Sequence, residues 1–193
     1  YATVRQMRET VLALKRLLAG EWNVFPGVHS RMRHGGGGSV PVYIAASGPK
    51  TLQLAGEIAD GALLSVDLTP RALEWGHQMV AEGARRAGRD PTEVDVILCL
   101  RTTIREDREE ARTWASPLCA QRLGNAAWLD EMGIDTRGLQ MPPELSKLYP
   151  DLFHAEDWDR AIEISSVIPP DVRAPMCDAI GLIGDPQDCV RRL

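Results

Sequence analysis

The chain lacks several features that would have assigned it quickly. No apolar run among its 193 residues approaches the length a helix needs to cross a bilayer, so no membrane partner is expected. It has no basic excess: Lys and Arg number 22 against 27 Asp and Glu, a net charge of −5, which argues against a nucleic-acid footprint. It has no CxxC pair. Cys99, Cys119, Cys177 and Cys189 are scattered, as reduced thiols of a cytoplasmic protein are, and outline neither a zinc site nor a disulfide framework. It has no cluster of metal ligands, and His77 and His154 stand apart from any second ligand, which favours surface or packing roles for both. No signal peptide is present, and Tyr1 need not be the native start. The run Gly35-Gly36-Gly37-Gly38-Ser39 lacks a following Lys-Ser/Thr pair and precedes a strand, not a helix. It reads as a flexible linker and not as a nucleotide loop.

What is present is an ordinary globular composition, 44% hydrophobic and 25% charged, with enough length for one domain and a core. The organising stretch is VPVYIAASGPKTLQLAGEIADGALLS, residues 40–65. Val40–Ala46 is β-branched, aromatic and apolar, a strand. Ser47-Gly48-Pro49 turns the chain, with Pro49 suited to the first helical position. Thr51–Ala59 is a short, mostly buried helix, and Ala62–Leu64 the next strand. Strand, helix and strand with little linker make a right-handed parallel βαβ unit. The turn leaves backbone N–H groups free near a helix N-terminus, beside the small residues Ala45, Ala46, Ser47 and Gly48. Such a turn receives an anion such as phosphate. Equally, small residues there let a helix pack on a sheet, and the turn alone leaves both readings open.

Along the rest of the chain, residues 1–19 form an amphipathic helix with Val4, Met7, Val11, Leu14, Leu17 and Leu18 on one face and Gly20 as its stop. It opens with no visible cap, as though cut. Thr69-Pro70 starts a helix to about Ala87, burying Leu73, Met79, Val80 and Ala84. Val94–Ile104 reads as one strand carrying Arg101 toward its C-terminal end; facing inward Arg101 would hold an anionic substrate group, and facing outward, the favoured sense, it would pair with a helix acid. Glu106–Leu123 reads as a helix kinked at Pro117. Residues 124–175 form a mainly helical insertion holding Trp128, Met132, Met141, Leu148, Tyr149, Phe153 and Trp158. It is either a lid or apolar substrate wall, or a small satellite core or subunit contact. Ala179–Ile183 is a last strand, and Asp185-Pro186 opens a final helix. Four parallel strands with helices between them suit half of a (β/α)8 barrel or an open doubly wound sheet.

Residues 40–64, with the opening MRETVLALKRLLAGE and the closing AIGLIGDPQDCVRRL, resemble the luciferase-like flavin and deazaflavin oxidoreductases, in particular their deazaflavin branch. The resemblance implies an α/β chain that is part of a (β/α)8 TIM barrel, strands five to eight, with the N-terminal half absent; a complete barrel needs about 250 residues. It implies a single domain over 1–193, the insertion at 124–175 included, cut from a longer protein that forms a homo-oligomer at full length. The implied cofactor is coenzyme F420, with FMN and monooxygenase chemistry as the alternative, and a non-catalytic flavin-binding barrel as a further one. The implied reaction is hydride transfer between the reduced deazaflavin and a small organic substrate. Ala45, Ala46, Ser47 and Gly48 match the family's cofactor-binding run at the end of strand five, where Gly is frequent at the position of Ser47. Ser65 matches a substrate-contacting position. The sugar-phosphate-using relatives carry a lysine where this chain has Leu68, which weakens a sugar-phosphate substrate. Catalytic residues are expected upstream of this chain, so the fragment by itself is expected to be inactive, and no metal is expected.

Overall fold

A computed structural model describes residues 2–22, 24–33, 40–148 and 154–193. The glycine run at 35–38, Ser39, Tyr149 and Phe153 lie outside them. The chain divides into two compact units, one of Tyr1–Val66 and Pro70–Cys99, the other of Asp67–Thr69 and Leu100–Leu193.

The first unit holds α1 (Val4–Leu18), β1 (Tyr43–Ala46), α2 (Pro49–Ile58), β2 (Gly61–Leu64), α3 (Pro70–Arg86) and β3 (Asp95–Leu98). The three strands form one parallel sheet in the order β1-β2-β3, so the expected βαβ unit is present. Pro49 occupies the first turn of α2, where a missing N–H costs nothing. Register places Tyr43, Gly61 and Asp95 in one row and Ala45, Leu63 and Ile97 in another, all on one face. Ile44, Ala46, Ala62 and Leu64 are buried on the opposite face in the core with Leu52, Leu54 and Val80. The strand is therefore buried on one face and open on the other, with Ile97 44% exposed. Apolar residues filling both registers conceal this in the sequence.

The helical layer depends on a close approach of α2 and α3. A Cβ on Gly56 would overlap the Val80 carbonyl oxygen, and one on Gly83 would overlap the Gln53 carbonyl oxygen. Backbone meets backbone there, which only glycine permits. At the base of the sheet Asp60 binds three elements. Its Oδ2 accepts from the Val42 amide at 2.7 Å and its Oδ1 from Lys15 Nζ on α1 at 2.8 Å. Its own amide donates to Val42 O, and its carbonyl accepts from the Asp95 amide. Arg89 donates to the carbonyls of Gly56 and Ala59, satisfying the exposed end of α2.

Two expectations about this unit change. α1 does have a cap: Thr3 Oγ1 accepts from the Gln6 amide while Gln6 Oε1 accepts from the Thr3 amide. The helix from Pro70 buries Gly76 and Gly83 besides Val80 and Ala84, whereas Leu73 and Met79 are half-buried.

The second unit holds β4 (Arg101–Ile104), α4 (Arg108–Trp114), α5 (Ser116–Arg122), α6 (Ala126–Met132), α7 (Trp158–Ser165), α8 (Pro170–Ile180), β5 (Gly181–Gly184) and α9 (Pro186–Arg191). β4 and β5 pair in parallel. The single strand expected over 94–104 is thus two, β3 paired with β2 and β4 paired with β5. Partner exchange at Cys99-Leu100 leaves no mark on the side-chain pattern. The expected kink at Pro117 is a break between two helices: α4 ends before Ala115, and Pro117 lies in the first turn of α5, which starts at Ser116, since proline cannot donate to the preceding turn. Pro175 ends nothing; α8 runs through it to Ile180, holding Val172, Met176, Cys177 and Ile180 buried. The last strand accordingly lies at Gly181–Gly184, two residues later than the apolar run indicates. Asp185 caps α9 through the Asp188 amide, with Pro186 in its first turn, as expected. Segment 124–175 contributes Leu129, Leu145, Ala161 and Ile168 to one core with Cys119 and Met176, and Trp128, Met141, Leu148 and Trp158 pack against it. These residues thus build core, and that core is the second unit's own rather than a satellite.

Two outcomes follow from this packing. Gly83→Ala should lose about 2–3 kcal/mol in chemical denaturation, because one backbone must retreat from another. Gly124→Ala, whose new Cβ would meet only Gln121 O at 3.7 Å, should be close to neutral. The Asp60 carboxyl is pushed up by burial, but Lys15, the Val42 amide and Arg89 outweigh that and hold it below its ordinary range. A depressed carboxyl stabilises above its unfolded pKa and loses that contribution as pH falls through the folded value. Asp60→Asn should therefore cost about 1 kcal/mol at pH 7, a modest value for a partly solvated group. The difference should shrink in acid, as urea titrations at pH 7 and pH 3 would show.

Candidate anion site at the end of the first strand

The site is built on β1 and its turn. Ala46 is buried among the core residues, Ala45 and Ser47 are exposed, and Gly48 is half-buried. Gly48 is the N-cap of α2 and has no side chain to satisfy the first turn. Among the described residues, no protein acceptor faces the amides of Ser47, Gly48, Lys50 and Thr51. The first intrahelical bond runs from the Leu52 amide to Gly48 O at 3.0 Å, and Thr51 Oγ1 donates to that same carbonyl at 2.9 Å. The protein's own hydrogen bonds thus converge on the Gly48 carbonyl and leave the neighbouring donors open. Lys50, exposed in the first turn, adds a cation to the positive end of the helix. Small residues, open amides and a nearby cation fit the phosphate of a nucleotide-type cofactor.

Ser65 stands at the same end of the sheet. Parallel register sets Leu64 opposite Ala46, and the Ser65 amide donates to Ala46 O at 3.0 Å. Sequence proximity does not bring Ser65 beside the turn; the strand pairing does. Arg101 belongs to the second unit. It opens β4 and does not lie toward a strand's C-terminal end, and its guanidinium is 3.9 Å from Asp67 Oδ1. Asp67 also accepts from Arg122, whose guanidinium lies over the Trp128 ring at 5.5 Å. This acid, Asp67, is on the loop after β2. Asp67 and Arg122 were not singled out from the sequence, where nothing links positions 67, 101 and 122.

His77 is exposed on α3 and borders a shallow cleft with Val80 and Glu93, and His154 is exposed. Among the described residues no group of three or more His, Cys, Asp or Glu is placed to hold a metal ion. No described helix is long and apolar enough to cross a membrane.

Known proteins resemble this chain over nearly its whole length. The 5,10-methylenetetrahydromethanopterin reductase of Methanolobus tindarius is 30% identical over 195 residues, covering 96% of this chain and 55% of the reductase. The F420-dependent glucose-6-phosphate dehydrogenase of Nakamurella multipartita is 31% identical over 121 residues, 58% of this chain and 36% of the enzyme. The solved coenzyme F420 dependent tetrahydromethanopterin reductase from Methanopyrus kandleri superposes with a TM-score of 0.71 at 27% identity, covering 98% of this chain and 53% of that one. The chain spans about half the length of the reductases it matches. The profile of the luciferase-like monooxygenases matches residues 2–193, and the chain belongs to that family.

Proposed function

We propose that this chain is the cofactor-tail-binding part of a coenzyme F420-dependent oxidoreductase, and that the β1–α2 turn holds the cofactor's phosphate. The observation that carries this is the set of amides at Ser47, Gly48, Lys50 and Thr51 that have no protein acceptor among the described residues, at the strand end of a chain whose relatives are named as F420-dependent enzymes. Ala45 and Ala46 keep the approach to the backbone free of bulk, and the dipole of α2 favours the negative charge. The bound deazaflavin would supply the hydride chemistry. The residues of this chain bind and orient it: the amides fix its anionic end, and Ser65, beside Ala46, is placed to meet the substrate or cofactor at the same sheet end.

The full-length protein is then a (β/α)8 barrel, with β1, β2, the β3–β4 stretch and β5 as its fifth to eighth strands. The open face carrying Ala45, Leu63 and Ile97 is the kind of surface a barrel interior covers. The reacting acid or base, the remaining pocket wall and a homo-oligomeric assembly belong to that longer protein. Its substrate is a small organic molecule. Arg101, held beside Asp67, is assigned to positioning the loop after β2 rather than to an anionic substrate group.

Two measurements test this. A full-length protein carrying this chain should bind F420 in preference to FMN when each is titrated by fluorescence; tight FMN binding without an F420 response would assign it to the flavin monooxygenases. Gly48→Asp should weaken F420 binding by about 30-fold or more, by setting negative charge where the phosphate lies. The new Cβ would meet only Thr51 Oγ1 at 3.7 Å, and aspartate is a favourable N-cap. Thermal stability should therefore hold or rise while affinity falls, and unchanged affinity in the folded variant would place the phosphate elsewhere.

A further inference from the structure

The second unit buries two thiols against each other. Cys119 on α5 and Cys177 on α8 are both 0% exposed, and their Sγ atoms are 3.4 Å apart. They are 58 residues apart in sequence, so the fold alone brings them together. Both belong to the core that α4–α8 share, beside Ala120, Met176 and Ile180. Cys189 is buried on α9 and Cys99 is exposed on the loop after β3. No function assigned above uses any of these thiols.

We propose that Cys119 and Cys177 are a redox site, closed to a disulfide by a small neutral hydroperoxide. A disulfide has S–S near 2.05 Å, so the sulfurs must approach by about 1.4 Å, within the reach of side-chain rotation on two packed helices. One thiol, losing its proton, attacks a peroxide oxygen. The O–O bond breaks, one water leaves and a sulfenic acid remains. The second thiol then displaces the sulfenic oxygen as a second water, and the S–S bond forms. The thiols together lose two electrons and two protons, and hydrogen peroxide takes them up as it becomes water.

Burial selects the oxidant. Both sulfurs are closed even to water in the packed state, so an oxidant enters only through a transient opening of the core, which hydrogen peroxide, hardly larger than water, needs far less of than a glutathione-sized disulfide. The hydrogen shared with Cys177, and then burial, hold the Cys119 thiol well above its ordinary range, while the guanidiniums of Arg173 and Arg122 act in the opposite sense. A thiol so held is a slow nucleophile toward alkylating agents and peroxide alike; what carries the oxidation on to a disulfide is the second sulfur, 3.4 Å away, ready to trap the first product. The bond would tie α5 to α8 and close the chain between them, α6 and α7 included, into a loop. Cross-links across loops of this length restrict the unfolded chain strongly.

The test uses the whole chain and a Cys99→Ser variant, which removes the exposed thiol and with it coupling between molecules. Each is treated with hydrogen peroxide, denatured, and titrated for free thiols before peptide mapping. The expected result is the loss of two of the three thiols that the variant keeps from the four of the wild type, a Cys119–Cys177 linked peptide in both proteins, and a melting temperature raised by about 5 °C or more. Dithiothreitol should reverse all three. Retention of every thiol, a linkage through Cys189, or sulfinic acid at Cys119 with Cys177 still free would overturn the proposal.

Discussion

The first unit depends on a contact that contains no side chain. At Gly56 and Gly83 the backbones of α2 and α3 lie against each other closely enough that a methyl group on either would overlap a carbonyl. Close-packed interiors tolerate added atoms poorly. This approach sets the position of α2 on the sheet, and with it the direction of the amides that open at Ser47 and Gly48. The candidate anion site is thus supported from the far side of its own helix, through backbone that no ligand touches.

The two ends of that sheet do different work. At the base, Asp60 gathers the start of β1, the entry to β3 and Lys15 of α1, and Arg89 closes the carbonyl end of α2. Each of these polar groups has a partner inside the protein. At the other end the first-turn amides of α2 have none among the described residues. In parallel α/β folds ligands meet the carboxyl ends of strands, and the contrast between satisfied and open backbone is the local form of that rule. The second unit has no comparable opening among the described features; its charged groups, Asp67 with Arg101 and Arg122, or Arg173 with Glu109, are paired within it.

Much of this was legible from residues alone. The βαβ unit, Pro49 in the first helical turn, the Asp185 cap and the parallel pairing follow from local preferences that the surroundings leave intact. The failures share a cause. The break between β3 and β4 depends on which neighbour each half pairs with, and apolar residues in both registers cannot encode that. The last strand starts at Gly181 and not at Ala179 because α8, with Val172, Met176, Cys177 and Ile180 buried, runs on through Pro175 to Ile180. The meeting of Arg101 with Asp67 comes from tertiary contacts that return the loop after β2 beside β4.

The sequence by itself determined the parallel α/β character, the small-residue turn and the helix that opens from it. Each rests on side-chain size, backbone restriction or periodicity over a few residues. Only the tertiary structure decided that the turn's amides stay open, that Ser65 stands beside Ala46, that α2 and α3 touch through glycine, and that Cys119 faces Cys177. These are relations between residues distant in the chain, set by close packing and by competition for hydrogen-bond partners, and no local pattern carries them.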